Sequence, residues 1–260
     1  MRLLHSLVPS GIYRPGQLVI FRYLCRKALA LRVVDGQGAG RFIEIGFGLG
    51  DWMLTLADLG FSGVGVDMSA EAVDRLKTLA RLENKSLDAL KGDILEIEIS
   101  EKFDWVFAFE VIEHIKDDDS AIRTMAGLLK PKGRLLLSVP AHMRRWTRHD
   151  EAVGHFRRYE RAELFQKLWK NGLRSELIWC YGFPFSNILG PVRSVTAPEL
   201  RSLRMKEKTE ISGVHRPVEE RYRPLVSFIT GFLLPVQLWL QDRFLLSELG
   251  DGYLVLATRL

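Results

Sequence analysis

Residues 41–50 read RFIEIGFGLG, a short apolar run that ends in glycines at alternate positions. The run 41–46 is predicted as a buried strand and the following DWMLTLADLG as a helix ending at Gly60, which leaves the glycines in the turn between them. Gly46, Gly48 and Gly50 can adopt positive φ and let the backbone approach a ligand, and the helix start offers unpaired N–H groups. Several kinds of nucleotide-binding enzyme use such a turn, so its neighbours have to decide.

Outward from the turn, strand and helix keep alternating. FSGVGVDMS reads as a strand, AEAVDRLKTLARLEN as a helix, and Leu87–Gly92 as a weaker strand. FDWVFAFEV (103–111) is a fully buried strand, 117–130 a helix, and GRLLLSVP (133–140) another strand; a helix at 160–171 and a strand at 173–183 follow. The chain closes with GDGYLVLATRL, a strand, and QLVIFRYLCRKALALRVV (17–34) forms a leading helix. Two-faced apolar strands separated by helices imply an α/β fold, a mostly parallel, Rossmann-like sheet with helices on both faces.

Acidic residues mark the carboxyl ends of successive strands. Asp67 ends the second strand, roughly 20 residues beyond the glycine turn, where a carboxylate can accept hydrogen bonds from ribose hydroxyls. Asp93 follows the third strand in GDI, in a position to meet an adenine amino group. Glu44 lies inside the first strand and suits a cationic amino-acid tail better than a pyrophosphate. Together these stations fit a nucleoside ligand lying across the strand ends.

With EIGFGLG (44–50), VD (66–67), GDI (92–94), FDWVFAFEVIEHI (103–115) and GRLLLSVP (133–140) in place, the chain resembles the class I S-adenosylmethionine-dependent methyltransferases. The resemblance covers about residues 38–183 and the final strand. It implies a seven-stranded sheet with an antiparallel last strand, S-adenosylmethionine as cofactor, and transfer of its sulfonium methyl group. It also implies a cofactor site formed by Glu44, Gly46, Phe47, Gly48, Gly50, Asp67, Met68, Asp93, Ile94, Phe109 and Glu110.

The segment FEVIEHI (109–115) sets Glu110, Glu113 and His114 at positions i, i+3 and i+4, so a single helical turn would put them on one face. Three readings stand side by side. The residues cap and shape the pocket; or His114 acts as a general base, for which its ordinary pKa is suited; or the two carboxylates and the imidazole hold a divalent cation. The E-x-x-E-H turn is similar to that of small-RNA 2′-O-methyltransferases and ubiquinone-pathway O-methyltransferases. By that resemblance Glu110, Glu113, His114 and His155 would hold Mn²⁺ or Mg²⁺, with Glu113, His114 and His155 as the catalytic set. The chain departs from those relatives in SVPAH (138–142), and His142 and His149 are rival ligands.

The composition frames these readings. The 260 residues carry a net charge of +5, and residues 141–175 hold nine Lys/Arg against four Asp/Glu. Arg144, Arg145, Arg148, Arg157 and Arg158, interleaved with Trp146 and Tyr159, can grip phosphate or pair with Asp150, Glu151 and Glu160 on a solvated loop. Cys25 and Cys180 are the only cysteines, which excludes a disulfide framework and points to a cytoplasmic setting. The chain reads as one methyltransferase domain over 1–260, with an N-terminal helical segment (1–37) and a helical insertion (184–250) before the last strand. Pro235 and the polar Gln237, Gln241, Asp242 and Arg243 argue against a transmembrane span in 225–246, leaving a substrate lid or a peripheral membrane contact. The expected activity is O-methylation of a hydroxylated small molecule or lipid-linked acceptor. RNA ribose methylation is the alternative, weakened by the lack of a nucleic-acid-binding module; a catalytically silent cofactor-binding regulator is the alternative outside catalysis.

Overall fold

The computed structural model of the chain describes residues 20–187, 234 and 236–260. The N-terminal residues 1–19, the basic run 201–223 and most of the expected insertion lie outside the described residues. The described elements begin with α1 (Ile20–Val34), β1 (Arg41–Ile45), α2 (Asp51–Asp58), β2 (Ser62–Asp67), α3 (Ala70–Leu82) and β3 (Leu87–Lys91). They continue with β4 (Phe103–Phe109), α4 (Asp118–Leu128), β5 (Leu129–Pro140), α5 (Arg148–Val153), α6 (Arg161–Lys170), β6 (Leu173–Tyr181) and β7 (Gly252–Arg259).

These strands form one seven-stranded sheet in the order β3-β2-β1-β4-β5-β7-β6. Strand β7 runs antiparallel between β5 and β6, with Leu136 opposite Leu256 and Cys180 opposite Tyr253. The order reverses between β1 and β4, so the carboxyl ends of these two strands border the crevice in which α/β sheets bind ligands.

Alternation along the strands divides the core into two faces. Phe42, Trp105 and Phe107 pack with Leu24, Leu29, Trp52 and Met53 on the face covered by α1 and α2. Ile43, Ile45, Val106 and Ala108 pack with Ile122, Met125, Leu164 and Leu168 under α4 and α6. By the same alternation Glu44 shares the face of Phe42, which brings it under α1. The edge strand β3 is short and mostly exposed, with Asp88 and Lys91 facing solvent, as a sheet edge that resists further pairing should be.

Two boundaries differ from the sequence expectation. Helix α4 stops at Leu128, not at 130, and β5 starts early at Leu129, which pairs with Phe103. Pro131 explains the shift, since the residue before a proline is driven from helical into extended backbone. Within the 184–250 insertion, residues 236–244 are helical, and the glutamines among them turn inward. Gln237 and Gln241 are buried; the Gln241 side-chain carbonyl accepts from Gly182 N–H at 2.9 Å, and Gln237 Nε2 donates to the Phe183 carbonyl at 2.8 Å. Among the described residues no helix is long and apolar enough to cross a membrane.

Candidate active site

The glycine turn takes the shape its composition allows: Gly46, Gly48 and Gly50 have φ of 67°, 53° and 73°. A Cβ on Gly46 would lie 2.6 Å from Val111 Cγ2, so the turn and the segment after β4 are in close contact. Asp67 ties the turn to β2, accepting from Gly48 N–H at 2.8 Å and from Ser69 N–H at 2.9 Å. Asp93 stays at the surface end of β3 and accepts from Leu95 N–H at 3.0 Å. Met68 is half-buried beside Asp67 and Ile94 is buried beside Asp93. Phe47 packs down against Gly65 inside the core, beneath the turn.

Glu44 is 3% exposed, and its Oε2 has no hydrogen-bond partner. Burial raises its carboxyl well above the ordinary range, partly offset by the positive charges of Arg26 and Lys27 on α1. A buried acid with an orphaned oxygen is costly to keep, and a cationic ligand group would relieve that cost. Nearby, the buried Lys27 Nζ donates to Asp51 Oδ2 at 2.6 Å, and Tyr23 OH donates to the same carboxylate. Burial draws both groups toward neutrality, Lys27 down to about 7 and Asp51 up to about 7.

The turn after β4 departs from the expected helical geometry. Glu110 has φ of 59°, and only Ile112–His114 coil, as a single 3₁₀ turn, so Glu110 does not share a helical face with Glu113 and His114. Its carboxylate is drawn to α1: Arg22 donates to it at 2.5 Å, Ser138 Oγ at 3.0 Å and Tyr181 OH at 3.3 Å. Arg26 lies 3.8 Å from the same group and its guanidinium covers the Phe109 ring at 5.0 Å. Burial would push the Glu110 carboxyl up, but Arg22 and Arg26 outweigh it and hold the group down at about 2.

Of the four residues named as candidate metal ligands, Glu113, His114 and His155 come together, their candidate ligand atoms lying within 4.8 Å of one another, while Glu110 is not in the group. Glu113 is fully buried with neither carboxylate oxygen hydrogen-bonded, and His114 Nδ1 also has no partner. Burial, then the charge of Glu110, raises Glu113 well above the carboxylate range. Burial, then His155, lowers His114 to about 3, which keeps the imidazole neutral at physiological pH. The Phe156 N–H donates to the Glu113 carbonyl at 2.8 Å and so fixes the His155 loop against the turn. His155 Nδ1 faces Asp150 Oδ1 at 2.9 Å, a carboxylate contact that orients the ring and leaves Nε2 toward the cluster. Of the rival candidates His142, His149 and His155, it is His155 that joins Glu113 and His114.

The basic segment is largely committed to internal contacts. Arg158 is buried, with Nε and Nη2 each 2.9 Å from an oxygen of Asp150 and Nη1 3.0 Å from Asp251. Arg157 pairs with Asp118 at 2.6 Å, while Arg145 donates to the Leu249 carbonyl at 3.0 Å. The pairing with Asp150 read from the sequence holds, but inside the protein and not on a solvated loop.

A family model described as a methyltransferase domain matches residues 19–177, more than half of the chain. The chain belongs to the methyltransferase-domain family. Its fold is that of the class I S-adenosylmethionine-dependent enzymes, as the ordered strands and the glycine turn already indicated. A curated relative, the ubiquinone biosynthesis O-methyltransferase of Bradyrhizobium diazoefficiens, is 33% identical over 115 residues, covering 44% of this chain and 46% of the relative. The chain thus spans about half the length of the curated relatives it matches. Among solved structures it is similar in fold to phosphoethanolamine N-methyltransferase 2 of Haemonchus contortus in complex with S-adenosylmethionine, with a TM-score of 0.62 at 18% identity, covering 99% of this chain and 56% of that one. The magnesium protoporphyrin IX methyltransferase of Synechocystis with bound S-adenosylhomocysteine gives a TM-score of 0.57 at 13% identity, covering 100% of this chain and 94% of that one.

Sequence reading missed the basic face of α1 and its partners Ser138, Tyr181 and Asp51. A signal was present: Arg22, Arg26 and Lys27 lie within two turns of a largely apolar helix, and a helix buried on that face must find acids for its cations.

Proposed function

We propose that the protein is an S-adenosylmethionine-dependent O-methyltransferase acting on a hydroxylated small molecule or lipid-linked acceptor. The observation that carries this reading is the cluster of Glu113, His114 and His155 directly after β4, beside a glycine turn backed by the orphaned carboxylate of Glu44. The matched relatives named for ubiquinone biosynthesis O-methylation support the acceptor class.

In this reading Glu44 pairs with the ammonium group of the cofactor, with Arg26 available for its carboxylate. The remaining acceptor capacity of Asp67 takes the ribose hydroxyls, Asp93 and Ile94 border the adenine, and the Gly46–Gly50 turn admits the backbone-side approach. The cofactor supplies a methyl group already activated on its sulfonium, so the chain's main work is to align the acceptor oxygen with it. Replacing Asp67 by alanine is expected to weaken cofactor binding about 10-fold or more while the protein stays folded, because one charge-assisted contact is worth roughly 1.5–3 kcal/mol. Titration calorimetry checks this, and an unchanged affinity would remove the ribose assignment.

Glu113, His114 and His155 offer a mixed oxygen and nitrogen donor set suited to Mn²⁺ or Mg²⁺, and their unpartnered buried atoms fit such an ion. When bound, the ion would lower the pKa of the acceptor hydroxyl and fix its direction. His114, held at about 3, is a poor proton acceptor at neutral pH, which favours a ligand role over that of general base. Glu113 must lose its proton to bind a cation, so Mn²⁺ affinity should increase as pH rises through its elevated pKa. In Glu113→Gln we expect Mn²⁺ binding, read by electron paramagnetic resonance, to disappear; a wild type that takes up no Mn²⁺ at any pH up to 9 would end the metal reading.

The reading as a whole is tested by methyl transfer from labelled S-adenosylmethionine into lysate fractions, with and without chelator. Label in the organic extract that chelation removes is the expected result, and label confined to RNA would overturn it. The exposed Trp239 and Leu246, within the expected insertion, give a lipid-linked acceptor an apolar surface to approach.

A further inference from the structure

A second group of ligand-type side chains lies where β5, β6 and the segment entering β7 converge. His142 follows β5 with φ of 64° and is 2% exposed; Cys180 is buried near the end of β6; Glu248 is partly exposed just before β7. His142 Nε2 lies 3.9 Å from Cys180 Sγ and 3.7 Å from Glu248 Oε2, and the three donor atoms all lie within 4.8 Å of one another. We propose that His142, Cys180 and Glu248 form a binding site for a thiophilic divalent cation of the zinc class, separate from the Glu113 cluster and independent of the methyl-transfer reading.

The geometry carries this in three ways. The Nε2–Oε2 separation is too long for a hydrogen bond, and the same Nε2 meets Cys180 Sγ only at the long distance of a weak thiol contact, which an ion would replace. Zn–S near 2.3 Å and Zn–N near 2.0–2.1 Å at tetrahedral angles give ligand–ligand edges of roughly 3.4–3.6 Å, so the two edges at His142 Nε2, 3.9 and 3.7 Å, need to contract by only a few tenths of an ångström around an ion. The far nitrogen of the ring is already oriented, since His142 Nδ1 lies 3.1 Å from Glu160 Oε2. A carboxylate on one imidazole nitrogen fixes the tautomer that presents the other nitrogen's lone pair to a metal.

Thiolate, imidazole and carboxylate together select zinc or cobalt over magnesium or calcium. A metal-bound cysteine is a thiolate, so the ion must displace the Cys180 proton as it binds. Glu248 also pairs with Arg161 and accepts from Tyr253 OH, which holds its carboxylate at the mouth of the site. The fourth position is left to water. A bound ion would cross-link the end of β5, β6 and the chain returning to β7.

The test is to add Co²⁺ to reduced, chelator-stripped full-length protein and record its absorption. About one equivalent should produce a near-ultraviolet thiolate-to-cobalt charge-transfer band, which Zn²⁺ then bleaches by displacement, in keeping with its higher place in the affinity order. Cys180→Ser should lose the band, whereas Cys25→Ser and Glu113→Gln should keep it; the last control separates this site from the other cluster. Glu160→Gln should weaken Co²⁺ binding about 10- to 100-fold. Glu248→Gln changes a surface residue and should weaken binding at least about 10-fold without unfolding the protein. A wild type that shows no charge-transfer band at saturating Co²⁺, or a band that survives Cys180→Ser, would overturn the proposal, and unchanged affinity in Glu248→Gln would overturn the three-ligand set.

Discussion

Asp150→Ala is expected to lower stability by about 3–5 kcal/mol, the usual effect of removing one partner of a buried ion pair. Asp150 is fully buried, and Arg158 reaches it through two parallel contacts of 2.9 Å. Its second oxygen also caps α5, accepting from Thr147 N–H at 2.7 Å and Thr147 Oγ1 at 2.8 Å. The substitution strands the buried guanidinium of Arg158 with Asp251 as its remaining acid and frees His155 Nδ1. For a chain of this size the loss corresponds to a fall in melting temperature of roughly 6–20 °C, measurable by circular dichroism. A fall below about 1 kcal/mol would mean that water replaces the network at little cost.

The same residue predicts an acid limb. Burial raises the Asp150 carboxyl, but the contacts with His155 and Arg158 more than compensate and hold it well below its ordinary value of 3.8. The folded state therefore favours the ionised form: its stabilisation is complete above pH 3.8 and is lost as pH falls further toward the depressed folded value. The acid limb below about pH 4 should flatten in Asp150→Asn, which keeps the shape and removes the titration. Asp150 also orients His155, so both variants should weaken Mn²⁺ binding by about 10- to 100-fold if the cluster of Glu113, His114 and His155 holds the ion.

The parts of this architecture that could be read from sequence are those whose information is local. The strand RFIEI, the alternate glycines and the spacing to Asp67 lie within one βαβ unit, and backbone preference together with apolar periodicity is enough to place them. Glu113 and His114 adjoin in one turn of the sequence, whereas His155 is named only through the resemblance to methyltransferases with an E-x-x-E-H turn, since its approach to them depends on a loop some 40 residues further on. What could not be read depends on distant chain segments. Glu110 is held by Arg22, 88 residues away, and Arg158 by Asp251, 93 residues away. No periodicity signals that a glutamate will adopt positive φ, because its partners, Arg22 and Ser138, lie on distant segments. The burial of Gln237 and Gln241 was hidden for a related reason: their partners are backbone groups of 182–183, which a residue pattern does not display.

Glu44→Gln is expected to weaken binding of S-adenosylmethionine by about 2–5 kcal/mol, roughly 30-fold or more, while leaving the free protein at least as stable. The two effects have one origin. Burial, reinforced by Asp67, raises the Glu44 carboxyl and is only partly opposed by Arg26 and Lys27, so the folded chain binds this proton more tightly than the unfolded chain. Stability is therefore highest below the ordinary value of 4.5 and declines as pH rises through the elevated folded pKa. Glutamine fills the same space without charge and removes that decline, so the variant should gain in melting temperature relative to wild type toward pH 8. Cofactor binding has the opposite requirement. An ammonium group rewards the ionised carboxylate, so wild-type affinity should climb as pH rises through the pKa of the free protein, and in Glu44→Gln that dependence should vanish along with most of the affinity. Calorimetry across pH 6–9 on both proteins separates the cases: a variant that binds as tightly as wild type, with the same pH dependence, would take Glu44 out of the cofactor site. Its orphaned oxygen would then be a structural cost carried in the first strand with no ligand to relieve it.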